Sequence, residues 1–263
     1  MDIYTSTENL IFDRKVSVAL GTFDGVHLGH KRVIESCVNS GLYPVVFAIN
    51  RPFLGVEHSQ PKLSTDTIKA KLIRDLGIKA LCEISFEEVY SLSPEEFFSE
   101  ILIKKLNVGH VSCGFNFQFG KNASGDVCTL KELCNLHNIL FSIEDAILYN
   151  GTPISSSRIR KAIEEGYTDA ATDMLGHLFT YDFEVVDGDK LGRKLGSPTI
   201  NQYFPEEFVC PRFGVYAAVA EVAGKRLPAV CNVGTRPTVN GNKPRSETFI
   251  IDFSGDLYGQ NYN

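Results

Sequence analysis

The chain lacks the marks of several large protein classes. No apolar run reaches the length of a membrane span, and the first residues, MDIYTSTENL, lack the basic-then-apolar order of a secretory signal. A cytoplasmic protein is therefore expected, with no membrane partner. Basic residues are not in excess: 26 Lys and Arg stand against 32 Asp and Glu, a formal net charge of −6. That balance argues against a dedicated nucleic-acid binder, whose partner asks for a basic face. It leaves small phosphorylated ligands open, because they need only a local cluster of donors. The seven cysteines are odd in number and scattered, and they include no C-x-x-C pair. Zinc and disulfide frameworks lack their spacing, which leaves reduced, mostly buried thiols. There is no G-x-x-x-x-G-K-[ST], and no G-x-G-x-x-G follows a strand-like run. Any nucleotide site must use another device. Internal repeats, low-complexity tracts and long linkers are absent as well.

What is present suits a globular enzyme. The 263 residues, 43% hydrophobic and 22% charged, can fill one large domain or two modest ones. In the first part, apolar runs at 16–20, 43–49, 79–84, 108–113 and 139–143 alternate with helical patterns at 31–40, 65–76, 94–106, 129–138 and 155–165. Ser93-Pro-Glu-Glu96 is a capping box with proline at the first helical position. Such alternation predicts a doubly wound parallel α/β sheet, whose ligands bind beyond the carboxyl ends of the strands. From Thr180 onward the runs are short and β-like, at 183–186, 214–222, 227–233 and 248–253, with Asn240-Gly241 as a hairpin signal. The expected division is an α/β domain over 1–176 and a small all-β barrel or sandwich over 177–263.

The α/β domain is organised around Val16–His30, VSVALGTFDGVHLGH. An apolar strand stops at Gly21, a polar turn with Asp24 and Gly25 follows, and a helix begins near His27 and His30. A strand feeding a helix N-terminus through glycines is a ready anion site. Gly29 lets backbone and ligand approach closely. Such a site suits a polyphosphate under attack at its α-phosphorus, where positioning and electrostatic stabilisation are the need. A second cluster, Ile154-Ser-Ser-Ser-Arg-Ile-Arg160, places hydroxyls at a helix start before Arg158 and Arg160. Taken alone, the serines cap and the arginines are solvated surface, just as the histidines alone are compatible with a structural role. In the second part, Gly188-Asp-Lys-Leu-Gly-Arg-Lys-Leu-Gly196 is a glycine-spaced basic loop suited to phosphate. Thr199 and Asn201 follow it, two apart on an extended segment, with oxygens suited to a hard cation such as Mg²⁺.

Together these stretches carry a resemblance. GTFDGVHLGH resembles the H-x-G-H motif of the nucleotidylyltransferase superfamily, and ISSSRIR its ISSTxxR motif. With GFNFQFG (114–120) between them and GRKLGSPTIN, FGVY (213–216), NVGTRPT (232–238) and Glu247-Thr-Phe after them, the order is similar to the bacterial bifunctional riboflavin kinase/FAD synthetase family. The resemblance spans about Lys15 to Gly259. It implies two reactions: riboflavin and ATP give FMN, then FMN and ATP give FAD and pyrophosphate. On it, His27 and His30 contact the ATP phosphates, with Gly21, Phe23, Asp24 and Gly29 of the same turn. Arg160, Ser156, Ser157 and Arg158 hold the β/γ end, and Asn116 sits beside the reacting groups. In the second part the resemblance implies that Gly188, Lys194 and Gly196 bind ATP and that Thr199 and Asn201 hold Mg²⁺–ATP. Glu247 is then the base for the riboflavin 5′-hydroxyl.

The chain departs from the family pattern in places. Ser157 replaces a threonine, Phe47–Pro52 (FAINRP) replaces F-x-P-H-P and lacks its histidine, and Phe183 replaces a glycine. The chain stops at Tyr262-Asn263, where the family continues with further strand and a helix, so an incomplete barrel is expected. Alternatives are FAD synthesis alone with a weakened kinase part, another H-x-G-H nucleotidylyltransferase, or a non-enzymatic flavin-binding regulator. Oligomeric state is left open.

Overall fold

A computed structural model describes residues 1–50, 54, 59–186, 199–235, 243–253, 255 and 257. By packing, the chain divides into two compact units, the first of Met1–Leu54, Lys69–Ser155 and Met174–Gly176, the second of Gly55–Ile68, Ser156–Asp173 and His177–Asn263.

The first unit is built on a six-stranded sheet of β1 (Asp2–Tyr4), β2 (Val16–Gly21), β3 (Tyr43–Asn50), β4 (Ala80–Ser85), β5 (Val108–Gly114) and β6 (Leu140–Glu144). Their order is β1-β4-β3-β2-β5-β6, and every neighbouring pair is parallel. Alternation along the strands explains the two layers. Val16, Val18 and Leu20 of β2, with Val45 and Phe47 of β3, enter one core together with Phe97, Phe98, Ile101 and Leu102. Ala19, Val46 and Ala48 point the other way, into a core with Val33, Ile34 and Ile73. Helices α1 (Leu28–Asn39) and α2 (Asp66–Asp75) supply the second set. Both faces of the sheet are covered, as the near-continuous apolar strands require. This is the expected doubly wound arrangement.

Several local expectations are corrected. The sequence reading starts α1 at Lys31, yet the helix begins at Leu28 because His27 itself is the N-cap. Its Nδ1 accepts the His30 backbone N–H at 3.2 Å, a role usually filled by Ser, Thr, Asp or Asn. A short helix α3 (Phe86–Val89) precedes the capping box, which forms as expected on α4 (Pro94–Glu96). Beyond Glu96 the helix widens into a π-helical run, Phe97–Lys105, and the Leu106 N–H reaches back five residues to the Ile101 carbonyl. The buried pairs 97/98 and 101/102, followed by Leu106, step by four to five residues, which that wider turn keeps on one face. Helix α5 (Val127–Leu136) then leads to the edge strand β6.

Between the sheets the chain forms the hairpin β7 (Leu148–Tyr149) and β8 (Thr152–Pro153), then α6 (Ser156–Glu164) and α7 (Thr168–Leu175). The second unit holds a four-stranded antiparallel sheet of β9 (Thr199–Tyr203), β10 (Gly214–Val222), β11 (Lys225–Thr235) and β12 (Pro244–Ile250), ordered β10-β11-β12-β9. Neither α7 nor β1 is anticipated by the sequence patterns. At the expected strand 183–186, Val186 forms a bridge with Asn201. Asn240-Gly241 lies outside the described residues, but β11 and β12 on either side of it do pair antiparallel. Aromatic rings at 179, 181, 183, 204 and 208 contact one another beside this sheet.

All seven cysteines are free thiols, and five are buried. Burial pushes Cys82, Cys113 and Cys134 up to about 12, so these thiols behave as small apolar core groups. Among the described residues no helix is long and apolar enough to cross a membrane.

Candidate active sites

The strand order of the first unit selects one crevice. The chain runs from β2 outward through β3 to β4, then returns to the opposite side of β2 to form β5. The switch point therefore lies between β2 and β5, and ligands of such sheets bind at the carboxyl ends there. Leu20 pairs with Cys113, so the turn after Gly21 and the loop after Gly114 leave the sheet side by side. These are the two loops singled out in the sequence.

The Gly21–His30 turn is held in unusual backbone. Phe23 (φ 53°), Gly25 (φ 77°) and Val26 (φ 41°) are all left-handed, and only one of them is glycine. A β-branched residue there is strained, at a cost of about 1–3 kcal/mol, and such strain persists where packing over-determines it. Here the packing is explicit, since Phe23 and Val26 are buried in the core that holds Val33 and Ile34. The turn delivers His27 to the N-cap of α1 and His30 one turn later. Their rings stack with centroids 3.6 Å apart and 14° between planes, and the Phe23 ring tilts against His30 at 5.2 Å.

Protonation follows from this geometry. Because His27 Nδ1 accepts a backbone N–H, the proton of the neutral ring sits on Nε2. His30 is held well below the usual histidine value, first by burial and then by the neighbouring His27. Its Nδ1 is buried and has no hydrogen-bond partner among the described residues. Two imidazoles thus converge on a helix N-terminus, which supplies backbone donors and a partial positive charge. Gly29 completes the arrangement, for a Cβ there would lie 3.1 Å from Cε1 and 3.2 Å from Nδ1 of His27. Asp24 is half-buried in the turn.

On the β5 side, Asn116 is exposed in the turn closed by the Phe117 N–H to the Gly114 carbonyl at 3.1 Å. Gly120, at φ 73°, ends this loop against Pro94, where a Cβ would come within 2.8 Å of the Pro94 nitrogen. The loop is pinned at its far end while its amide-bearing tip stays open.

Ser156, Ser157, Arg158 and Arg160 lie on α6, which belongs to the second unit. Ser157 is exposed, Ser156 and Arg158 are half-buried, and Arg160 is buried with its Nε donating to the Pro61 carbonyl. Arg160 is therefore fixed within its own unit, contrary to a purely solvated reading of the ISSSRIR arginines.

The antiparallel sheet gathers a second group. Glu247 of β12 stands directly opposite Asn201 of β9 on one side and Asn232 of β11 on the other. Opposite residues share a face, so a carboxylate sits in a row between two amides. Thr199, two residues before Asn201, shares that face. Asn201 is buried, Glu247 half-buried and Asn232 exposed, so the row opens toward β11. Arg245, two residues before Glu247, donates from Nη2 to Glu247 Oε1. The sequence reading passed over Arg245, although period-two spacing from Glu247 places it on the same face. Gly188, Lys194 and Gly196 lie outside the described residues.

A parallel α/β sheet with paired histidines at its switch point, followed in the chain by an antiparallel sheet bearing a carboxylate between amides, defines a two-domain nucleotide-using transferase. Comparison with known proteins makes this specific. Residues 11–158 match the FAD synthetase family and 175–263 the riboflavin kinase family. The bifunctional riboflavin kinase/FMN adenylyltransferase of Bacillus subtilis (strain 168) is 34% identical over 258 residues, covering 93% of this chain and 81% of that protein. Its counterpart in Escherichia coli (strain K12) is 31% identical, with 92% and 80% covered. A crystal structure described as a macrolide-efflux protein from Streptococcus pneumoniae matches with a TM-score of 0.86 at 27% identity, over 99% of this chain and 87% of that one. The chain belongs to the bifunctional riboflavin kinase/FMN adenylyltransferase family, with an FMN adenylyltransferase domain followed by a riboflavin kinase domain.

Proposed function

We propose that adenylyl transfer takes place at the β2/β5 switch point and riboflavin phosphorylation beside Glu247. The observation that carries the first assignment is the convergence of two stacked histidines and a helix N-terminus at that crevice, beside the Asn116 loop. A phosphate oxygen of FMN attacks the α-phosphorus of ATP, the bond to the bridging oxygen breaks, and pyrophosphate leaves. The attacking group is already an anion, so the residues need supply only position and charge stabilisation. His27 donates from Nε2 and His30 from its own ring to phosphate oxygens, with backbone N–H groups of α1 behind them. Gly21, Phe23, Asp24 and Gly29 shape the turn around ATP, and the Asn116 amide donates to a reacting phosphate. For Ser156, Ser157, Arg158 and Arg160 the support is the ISSSRIR pattern itself, whose hydroxyls and guanidinium groups suit the β/γ phosphates.

In the kinase domain Glu247 takes the proton of the riboflavin 5′-hydroxyl, and Gly188, Lys194 and Gly196 bind ATP. Thr199 and Asn201 offer a hydroxyl and an amide oxygen from one face of β9. Among the described residues no group of three or more His, Cys, Asp or Glu is placed to hold a metal. That sparse all-oxygen set fits Mg²⁺, which keeps waters and substrate phosphates as most of its ligands. Bound there, Mg²⁺ would neutralise polyphosphate charge. Seven free thiols and ATP-dependent chemistry support a cytoplasmic setting.

The test supplies the chain with FMN, ATP and Mg²⁺ and resolves FAD by chromatography. His30→Ala should cut FAD formation at least 100-fold while leaving riboflavin phosphorylation unchanged. Undiminished FAD formation would show the first site misassigned.

A further inference from the structure

We propose that Arg245 is a positioning residue of the kinase site, holding the Glu247 carboxylate in the orientation from which it takes the riboflavin proton. The inference rests on Glu247 being the base. Three observations lead to it. First, Arg245 is a buried cation: 9% of its side chain is exposed, against 34% for Glu247. A guanidinium out of water needs a charged or hydrogen-bonding partner, and Glu247 is such a partner. Second, its cross-strand neighbours, Gly234 on β11 and Tyr203 on β9, offer it no carboxylate. Third, the contact runs from Nη2 to Oε1, so it engages one of the two carboxylate oxygens.

An unpinned glutamate on a sheet surface samples several rotamers, and only some would meet the 5′-hydroxyl. Fixing one oxygen removes that freedom before substrate arrives. As the 5′-oxygen bonds to the γ-phosphorus of ATP, the bond to the bridging oxygen breaks and ADP leaves with its electron pair. The hydroxyl proton passes to Glu247 and then to water. Arg245 touches neither the hydroxyl nor the phosphorus. Its contribution is the carboxylate's direction.

The experiment uses the full chain and three variants, Arg245→Gln, Arg245→Lys and Glu247→Gln. Kinetic constants for riboflavin and ATP are measured beside FAD formation from FMN in the same preparations. Arg245→Gln should lower kcat for riboflavin phosphorylation at least tenfold, with KM for ATP within twofold and FAD formation unchanged. Arg245→Lys, which keeps a cation with a single donor head, should recover part of the loss. An unchanged kcat in Arg245→Gln overturns the proposal. So does a joint loss of kcat and ATP affinity without recovery in Arg245→Lys, the signature of a structural role. If Glu247→Gln phosphorylates riboflavin as fast as the parent chain, the base assignment fails instead.

Discussion

A methyl group at Gly29 sets two effects against each other and separates stability from catalysis. Gly29 lies in the first turn of α1, where alanine is the better helix former by about 0.5–1 kcal/mol. The added Cβ, however, would sit 3.1 Å from His27 Cε1 and 3.2 Å from Nδ1, closer than ordinary contact. The imidazole must yield by a few tenths of an ångström. It cannot yield freely, since Nδ1 caps the helix at 3.2 Å and the ring stacks on His30 with centroids 3.6 Å apart. Weakening that cap costs about 1 kcal/mol, so the two terms nearly cancel. Gly29→Ala should therefore shift the melting temperature by no more than a few degrees. Catalysis has no such compensation. Nε2 swings with the ring, and a displaced hydrogen bond to a charged phosphate is worth about 1.5–3 kcal/mol. At about 1.4 kcal/mol per decade, FAD formation should fall about 10- to 100-fold. Riboflavin phosphorylation by the same molecules is the internal control and should not change. FAD formation within twofold of the parent would refute the role given to the His27 ring.

Other consequences follow from buried charges. Lys69 and Glu83 form an ion pair at 2.5 Å with side chains 6% and 9% exposed, and Lys69 also donates to Asn50 Oδ1 at 3.2 Å. Lys69→Met strands the carboxylate and should cost about 3–5 kcal/mol in urea unfolding, whereas the double variant with Glu83→Leu should recover most of it. A double variant no better than the single one would contradict this. His110 bridges three strands, with Nδ1 2.8 Å from Ser17 Oγ and Nε2 2.9 Å from Ser142 Oγ. Burial lowers its affinity for protons, with Glu144 partly opposing, and His30 is shifted the same way. The unfolded chain then binds more protons below its ordinary value of 6.5, so stability is full above that pH and declines as pH falls toward the lowered folded values. His110→Gln, titrated by urea midpoint between pH 7.5 and 5.5, should lose less stability on acidification than the parent. An equal loss would count against it.

Much of this protein is written locally. The alternation of apolar strands with ten-residue helices makes the doubly wound class legible, because a parallel strand buried on both faces must be apolar at consecutive positions. The Ser93 capping box and the Gly214–Val222 strand are likewise settled by neighbours in sequence. Candidate motifs could be read too, since H-x-G-H and Glu247-Thr-Phe are short and contiguous. What lay beyond sequence was every relation set by distant residues. The edge strand Asp2–Tyr4 is stabilised only by pairing with Ala80–Cys82, and its own three residues announce nothing. His27 as a cap, with its tautomer decided, depends on backbone donors that exist once α1 has formed. The left-handed Phe23 and Val26 are tolerated because a core far along the chain holds their side chains. Glu247 stands between Asn201 and Asn232 through the registers of three strands, which no local pattern encodes. Residue type and spacing singled out the candidate groups, and packing decided their orientation, because direction and proton affinity come from neighbours that meet only in three dimensions.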